Sequence, residues 1–412
     1  MPRTLSETLM PSTAPVTADP RSALIAPLAV ADPLAPVGLL PVAILGVSFD
    51  PMTLASAVDR IEAMIAAQRP NYVVTPNVDF LVQAQGDAEL HQILAQADLV
   101  LCDGKPLVWA SRWLGNALPG RVAGSDLVPM LLRRAAERGW KIFLLGGAEG
   151  VGAEAAQRIA ADYPTLREVA HYSPPLRPLA AMNHAEIVAR IRDASPDLVL
   201  VCFGCPKQEK WIFQHYRAAG VPVMIGAGGT VDFLAGRLKR APQWMRRSGI
   251  ESFFRLWQEP RRLFKRYAGD LWHFVPALLA QIWHLPVRAA QKLLPGRMLF
   301  STPMAYGLKV QPTGRLHRDV LRRAPAFWAH AVEQQGHCLI DLSEVQSIDS
   351  TGLAFLAHWQ RRLAEARRNL ILFRPSAAVL SALERMRLTE QFIITDGTPP
   401  GPRAAQVANG RR

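Results

Sequence analysis

Cysteine is scarce, with four in 412 residues. That is too few for a disulfide-stapled scaffold and suits a reducing compartment such as the cytoplasm. Long apolar runs are missing too. The nearest, Leu271 to Val287 (LWHFVPALLAQIWHLPV), holds Pro276, Pro286 and two histidines, and it is shorter than the ~20 residues a spanning helix needs. A membrane-spanning protein is not expected; a membrane-touching one is. Acidic residues are in deficit, 34 Asp+Glu against 47 Lys+Arg, so a net +13 needs a location. Hydrophobic residues make up 50% and charged ones 20%, which excludes a mostly disordered chain. The length fits two or three domains.

Residues 1–40 carry seven prolines and seven alanines, with only Arg3, Glu7, Asp19, Arg21 and Asp32 charged. Pro27, Pro33 and Pro36 break any secretory apolar stretch, so a disordered arm is expected. From 41 to 236, short apolar β-rich runs alternate with helical patterns. The strand candidates are Ala43–Val47, Tyr72–Thr75, Leu99–Cys102, Lys141–Leu145, Leu198–Phe203 and Val223–Ile225. Helices are expected at Leu54–Ala67, Asp126–Glu137, Gly152–Asp162 and Ala185–Ala194. This alternation predicts an α/β domain with a parallel sheet covered on both faces. Ligands in such folds bind beyond the carboxyl ends of the strands.

Residues 237–297 hold thirteen Lys/Arg against Glu251, Glu259 and Asp270, which is most of the net charge. Trp244, Trp257, Tyr267, Trp272 and Trp283 are interspersed. A solvated helix face and nucleic-acid binding are both open to such a segment. An anionic membrane surface fits better, because basic side chains are attracted to it and Trp favours the interface. No nucleic-acid partner is expected. A connector at 298–304 leads to a compact region at 305–396, and 397–412 reads as a disordered tail. In the compact region, strands are expected at Cys338–Leu342 and Leu370–Phe373, and helices at Gly352–Ala366 and Ser376–Arg387.

Polar segments follow predicted strands at Thr75-Pro76-Asn77-Val78-Asp79, Asp103-Gly104-Lys105-Pro106, Gly204-Cys205-Pro206-Lys207-Gln208-Glu209 and Gly226-Ala227-Gly228-Gly229-Thr230, and a further one, Arg121 with Gly124-Ser125-Asp126, opens a predicted helix. Together they resemble the WecG/TagA/CpsF glycosyltransferases over about 43–270. The run from Gly249 to Tyr267 resembles that family's C-terminal appendage. The resemblance implies a Rossmann-like transferase core with a basic helical membrane-docking appendage. Its expected reaction moves an N-acetylmannosamine-like hexosamine, or a related hexose, from a UDP-sugar to a polyprenyl-diphosphate-linked sugar for a bacterial surface polysaccharide. The expected location is peripheral, on the inner face of the cytoplasmic membrane. The exposed edges of such sheets keep a homo-oligomer among the expected partners.

The same resemblance assigns roles. Asp103 matches the general base, and a carboxylate at a strand end can accept the proton of an attacking hydroxyl; the alternative is a helix cap at Gly104. Thr75, Asn77, Arg121 and Gln208 match the substrate pocket; turn formation or surface ion pairing would also explain them. Gly146, Gly147, Lys207, Gly226, Gly228 and Gly229 are nucleotide-binding candidates, with tight turns as the alternative. Arg255 and Arg262 match appendage arginines that reach the donor diphosphate. No Asp-x-Asp follows a strand, so no metal or other cofactor is expected, and backbone N–H groups and cations would hold the leaving UDP. Cys202 and Cys205 have redox or zinc spacing but no second pair, and read as buried thiols.

The run Asp341-Leu-Ser343 through Asp349-Ser350-Thr351-Gly352-Leu353 resembles a STAS domain, the small α/β fold of anti-sigma factor antagonists. In its regulatory members the serine at this position is phosphorylated, so Ser350 is a phosphoacceptor candidate and a regulatory protein the expected partner. The plain alternative for Ser350 is an N-cap hydroxyl. An inactive scaffold working through this domain is the competing reading. It would not require Thr75, Asn77, Asp103, Arg121 and Gln208 all to be present.

Overall fold

The computed structural model describes residues 39–238, 242, 245, 254, 257, 260–285, 297–304, 307–323 and 336–397. The expected arm lies outside these residues apart from positions 39 and 40, as does the tail beyond 397. In chain order the first elements are β1 (Val42–Ile44), β2 (Val47–Phe49), α1 (Leu54–Ala66), β3 (Asn71–Val74), α2 (Val78–Gly86), α3 (Ala88–Gln96), β4 (Leu99–Val100) and α4 (Lys105–Trp113). Then come α5 (Gly124–Arg138), β5 (Lys141–Gly146), α6 (Val151–Asp162), β6 (Glu168–Tyr172), α7 (His184–Ala194), β7 (Leu198–Cys202), α8 (Lys207–Ala219), β8 (Val223–Gly226) and α9 (Thr230–Leu234).

The strands form a six-stranded sheet in the order β4-β3-β8-β7-β5-β6, every pair parallel. Side chains alternate across it, as a period of two requires. Val199 and Val201 join the core cluster that contains Trp211 and Leu81, whereas Leu198 and Leu200 join the one that contains Ile61 and Leu131. Helices start where polar side chains satisfy the free N–H groups: Thr53 and Ser56 form a capping box on α1, Asn77 caps α2, and Asp87 caps α3. From β5 the chain proceeds outward to β6, and from β7 it turns the other way to β8. The crevice between the carboxyl ends of β5 and β7 is therefore the topological switch point.

One expected strand is not in this sheet. Ala43–Val47 is a hairpin, because Leu45 (φ 48°) and Gly46 (φ 84°) turn the chain back between β1 and β2. Two consecutive positive φ values make the short turn whose twist suits a hairpin.

Helix α10 (Pro260–His284) follows. Its buried stripe, Phe274, Leu278, Gln281 and Leu285, has the i, i+4, i+7, i+11 spacing of one face, and Phe274 and Leu278 pack with α2 in the core on one face of the six-stranded sheet. Phe264, Leu271, Trp272, Val275, Leu279 and Trp283 remain exposed. Among the described residues no helix is long and apolar enough to cross a membrane.

The C-terminal domain contains β9 (Arg297–Met304), β10 (Gly307–Leu316), α11 (Arg318–Leu321), β11 (His337–Asp341), β12 (Val345–Ile348), α12 (Ser350–Glu365), β13 (Leu370–Phe373), α13 (Ala377–Arg385) and β14 (Ile393–Thr395). Its sheet runs β12-β10-β11-β13-β14 in parallel, with β9 antiparallel on β10. The stretch 298–304, expected as a connector, is thus a strand, because β10 offers it a ladder from Gly307 to Thr313.

Candidate active site

Four loops lie beyond the carboxyl ends of the parallel strands, and hydrogen bonds join them in pairs. The Asp103 N–H donates to the Pro76 carbonyl (3.0 Å), tying the β4 loop to the β3 loop. The Val122 N–H donates to the Cys102 carbonyl (2.7 Å), drawing Arg121 to the same place. Gly204 and Gly228, in the loops after β7 and β8, both donate to Gln208 Oε1 at 3.1 Å.

The pocket candidates are brought together by this lacing. Thr75 is buried, and a methyl group added at Gly124 would lie 3.6 Å from its Oγ1 and 3.8 Å from Thr230 Oγ1. The two hydroxyls thus flank the backbone where α5 begins. Asn77 accepts from the Phe80 N–H (3.2 Å), so its carbonyl serves as the α2 cap. The N-cap of α4 is Gly104 rather than Asp103. Arg121 pairs with Asp126 at 2.5 Å, both largely buried. Asp103 and Arg121 exert opposite charge effects on Cys102, whose thiol is held well above its ordinary range chiefly by burial.

Gln208 is 3% exposed and its carboxamide is engaged on both sides: Nε2 donates to Glu209 Oε1 at 2.7 Å. This explains Gly226, where a Cβ would lie 2.6 Å from Gln208 Nε2 and 2.7 Å from Glu209 Oε1. Gly146 (φ 100°) has a different neighbour, since a Cβ there would meet the Phe203 ring at 2.7 Å. The Gly147 N–H donates to the Cys202 carbonyl. Lys207 Nζ donates to the Arg177 carbonyl (2.6 Å) and lies 5.2 Å from the Phe203 ring. Gly229 opens the short helix α9. Arg255 lies outside the described residues, and Arg262 lies in the first turn of α10.

Two features of the site went unread in the sequence. Glu209, between Gln208 and Lys210, is 2% exposed and pushed up to about 7 by burial, with the Gln208 and Cys205 side chains acting against the shift. Its spacing with Ile212 and Tyr216 is the helical stripe that would have revealed it. Asp270, on α10, lies beside Asp79, two residues beyond Asn77; burial first, then the Asp79 charge, raise it to about 6. The appendage therefore touches the rim of the loop cluster. Cys202 and Cys205 are free thiols, both raised by burial. Among the described residues no group of His, Cys, Asp and Glu is arranged to hold a metal ion.

Ser350 does not belong to this cluster. It lies at the start of α12, 2% exposed, its Oγ accepting from Gln281 Nε2 at 3.0 Å. In this arrangement the hydroxyl is closed off, so the phosphoacceptor expectation can apply only to a domain that has come away.

Residues 42–288 match the model of the glycosyl transferase WecG/TagA/CpsF family, and 307–395 match that of the Mlab STAS domain. Similar relatives include an N-acetylglucosaminyldiphosphoundecaprenol N-acetyl-β-D-mannosaminyltransferase of Bacillus spizizenii, 32% identical over 210 residues that cover 51% of this chain and 80% of the relative. Enzymes of the same name from two Staphylococcus aureus strains are 33% identical over 214 residues and 32% over 222, covering 52% and 53% of this chain and 82% and 85% of theirs.

Proposed function

Since the chain belongs to the WecG/TagA/CpsF glycosyltransferase family, with a STAS domain fused behind the transferase, we propose that it glycosylates a polyprenyl-diphosphate-linked sugar. The donor in this reading is a UDP-sugar carrying N-acetylmannosamine or a related hexose. The acceptor hydroxyl attacks the anomeric carbon and gives its proton to the Asp103 carboxylate. The bond from that carbon to the UDP oxygen breaks, and UDP leaves with the electron pair. A single displacement of this kind inverts the anomeric configuration. Thr75, Asn77 and Arg121 line the substrate side. Gln208 acts by fixing the Gly204 and Gly226–Gly229 turns, against which the nucleotide would lie. Arg255 and Arg262 meet the leaving diphosphate without a metal ion.

One observation carries this reading: the family-matching residues come from separate loops, and the hydrogen bonds Asp103–Pro76, Val122–Cys102 and Gln208–Gly228 hold those loops at one end of one sheet. The exposed apolar face of α10, beside its basic first turns, supports docking on an anionic membrane where the lipid acceptor resides.

The test is UDP release from a panel of UDP-sugars, with and without a polyprenyl-diphosphate-linked sugar, for the wild type and Asp103→Asn. Acceptor-dependent release should fall by roughly 10²–10⁴ in kcat in the variant, with donor KM within a few-fold. Equal turnover by both proteins would remove Asp103 as the base. Absence of release from every donor would favour the scaffold reading.

A further inference from the structure

The side chain of Gln281 joins three distant parts of the chain. Its Oε1 accepts from the Leu45 N–H (2.8 Å), and its Nε2 donates to the Ala43 carbonyl (2.8 Å) and to Ser350 Oγ (3.0 Å). Both amide hydrogens and the carbonyl are thereby used, and the residue is 2% exposed. The β1–β2 hairpin, helix α10 and the first turn of α12 meet at this one carboxamide.

The rest of α12 continues the contact. Ser48 Oγ donates to the Ala354 carbonyl (3.2 Å). Asp50, 3% exposed, accepts from Arg361 Nη2 (2.9 Å) and His358 Nδ1 (3.0 Å), and Arg361 Nη1 also reaches the Ala97 carbonyl (3.0 Å). Arg60 pairs with Glu365 (3.0 Å), whose carbonyl accepts from Arg69. Ala43 and Leu285 lie inside the apolar core of the C-terminal domain rather than at its rim. A buried charge left without its partner is strongly disfavoured, so these pairs hold only while the two surfaces stay together.

We propose that the Ser350–Glu365 face of the STAS domain has this chain's own transferase domain as its partner, and that docking there locks α10 in place. Anything that occupies Ser350 must displace Gln281 and so loosen α10. Between Gln281 and Asp270, eleven residues and roughly 16 Å earlier along the helix, Phe274 and Leu278 pack with Leu81 and Ala84 of α2, the helix that Asn77 caps. The docked face thus reaches the active-site rim through one continuous helix. This last step rests on the proposed reaction; the docking itself does not.

The test uses the full chain and amide hydrogen exchange. Gln281→Glu sets a carboxylate against the Ala43 carbonyl and removes both N–H donors. Exchange in 42–50 and 274–285 should quicken at least tenfold, with 198–202 unchanged, and acceptor-dependent transfer should fall about tenfold. Arg60→Glu and Glu365→Arg should each quicken exchange at the same segments, and the double variant should recover most of the protection. If Gln281→Glu fails to fold, this charge-exchange set decides alone. Wild-type exchange in a folded Gln281→Glu, or no recovery in the double variant, overturns the docking. Faster exchange with undiminished transfer leaves the docking standing and overturns its link to the site. A wild type without transfer activity fails the proposed reaction and leaves the exchange result to judge the docking.

Discussion

Helices α8 and α12 start alike in two sheets of one chain: each begins beyond the carboxyl end of a strand, with a polar residue in its first turn. At α8, Gln208 reaches sideways to the N–H groups of two neighbouring loops. Gly204, Cys205 and Lys207 stay only part-buried there, so the strand ends remain open to a ligand. At α12, Asp349 accepts from the Gly352 and Arg318 N–H groups (2.7 and 3.1 Å), and Ser350 is covered by α10. The local chemistry of the two helix starts is similar. What differs is the roof. A strand end becomes a site when nothing packs over it, and an interface when another element does.

Exchanging the roles of these residues would break the comparison. Gln208→Ala should lower kcat/KM about 100-fold, because two glycine turns lose their common acceptor. Ser350→Ala should change transfer less than threefold and lower stability by about 1 kcal/mol, the worth of one hydrogen bond. Kinetics beside thermal melts would check both, and a stability loss without a kinetic one in Gln208→Ala would reduce the α8 start to a second structural joint.

Buried Glu209 sharpens the comparison in terms of pH. Its folded value of about 7 exceeds the ordinary 4.5, so between these values the folded state binds more protons than the unfolded one. Stability contributed by its neutral form is complete below about 4.5 and declines as the pH rises through about 7. Glu209→Gln should flatten this decline, worth on the order of 3 kcal/mol over the whole range, in denaturant titrations from pH 4.5 to 8. An unchanged slope would mean that the carboxyl is ionised where it lies.

Helix α10 roofs the start of α12 and rims the loop cluster at α2, and its outer face should meet lipid. Trp272→Glu with Trp283→Glu should weaken sedimentation with anionic vesicles roughly tenfold or more, since both indoles are highly exposed. Retained binding would send the membrane contact elsewhere on the chain.

The parallel sheet was legible because runs such as Leu198–Phe203 are apolar without interruption, as strands buried on both faces must be. Edge strand β6, Glu168–Tyr172, went unread because its side chains are half-exposed and mixed in polarity. The hairpin turn at Leu45–Gly46 passed for the middle of a strand. Thr75, Asp103 and Gln208 stood out by following strands and Arg121 by its place in the motif set, but which carboxamide atom faces which loop depends on contacts across twenty residues. The closure of Ser350 was beyond any local pattern, since its partner lies 69 positions away.

The β1–β2 hairpin has a consequence for how the molecule is made. Ser48 finds its acceptor at Ala354, 306 residues later, and Asp50 its guanidinium at Arg361, 311 residues later. At roughly 5–20 residues per second, the ribosome needs on the order of 15–60 s to deliver them. For that interval Ala43 and Asp50 wait without the helix that covers them, and the first piece of the transferase to emerge is among the last to be finished.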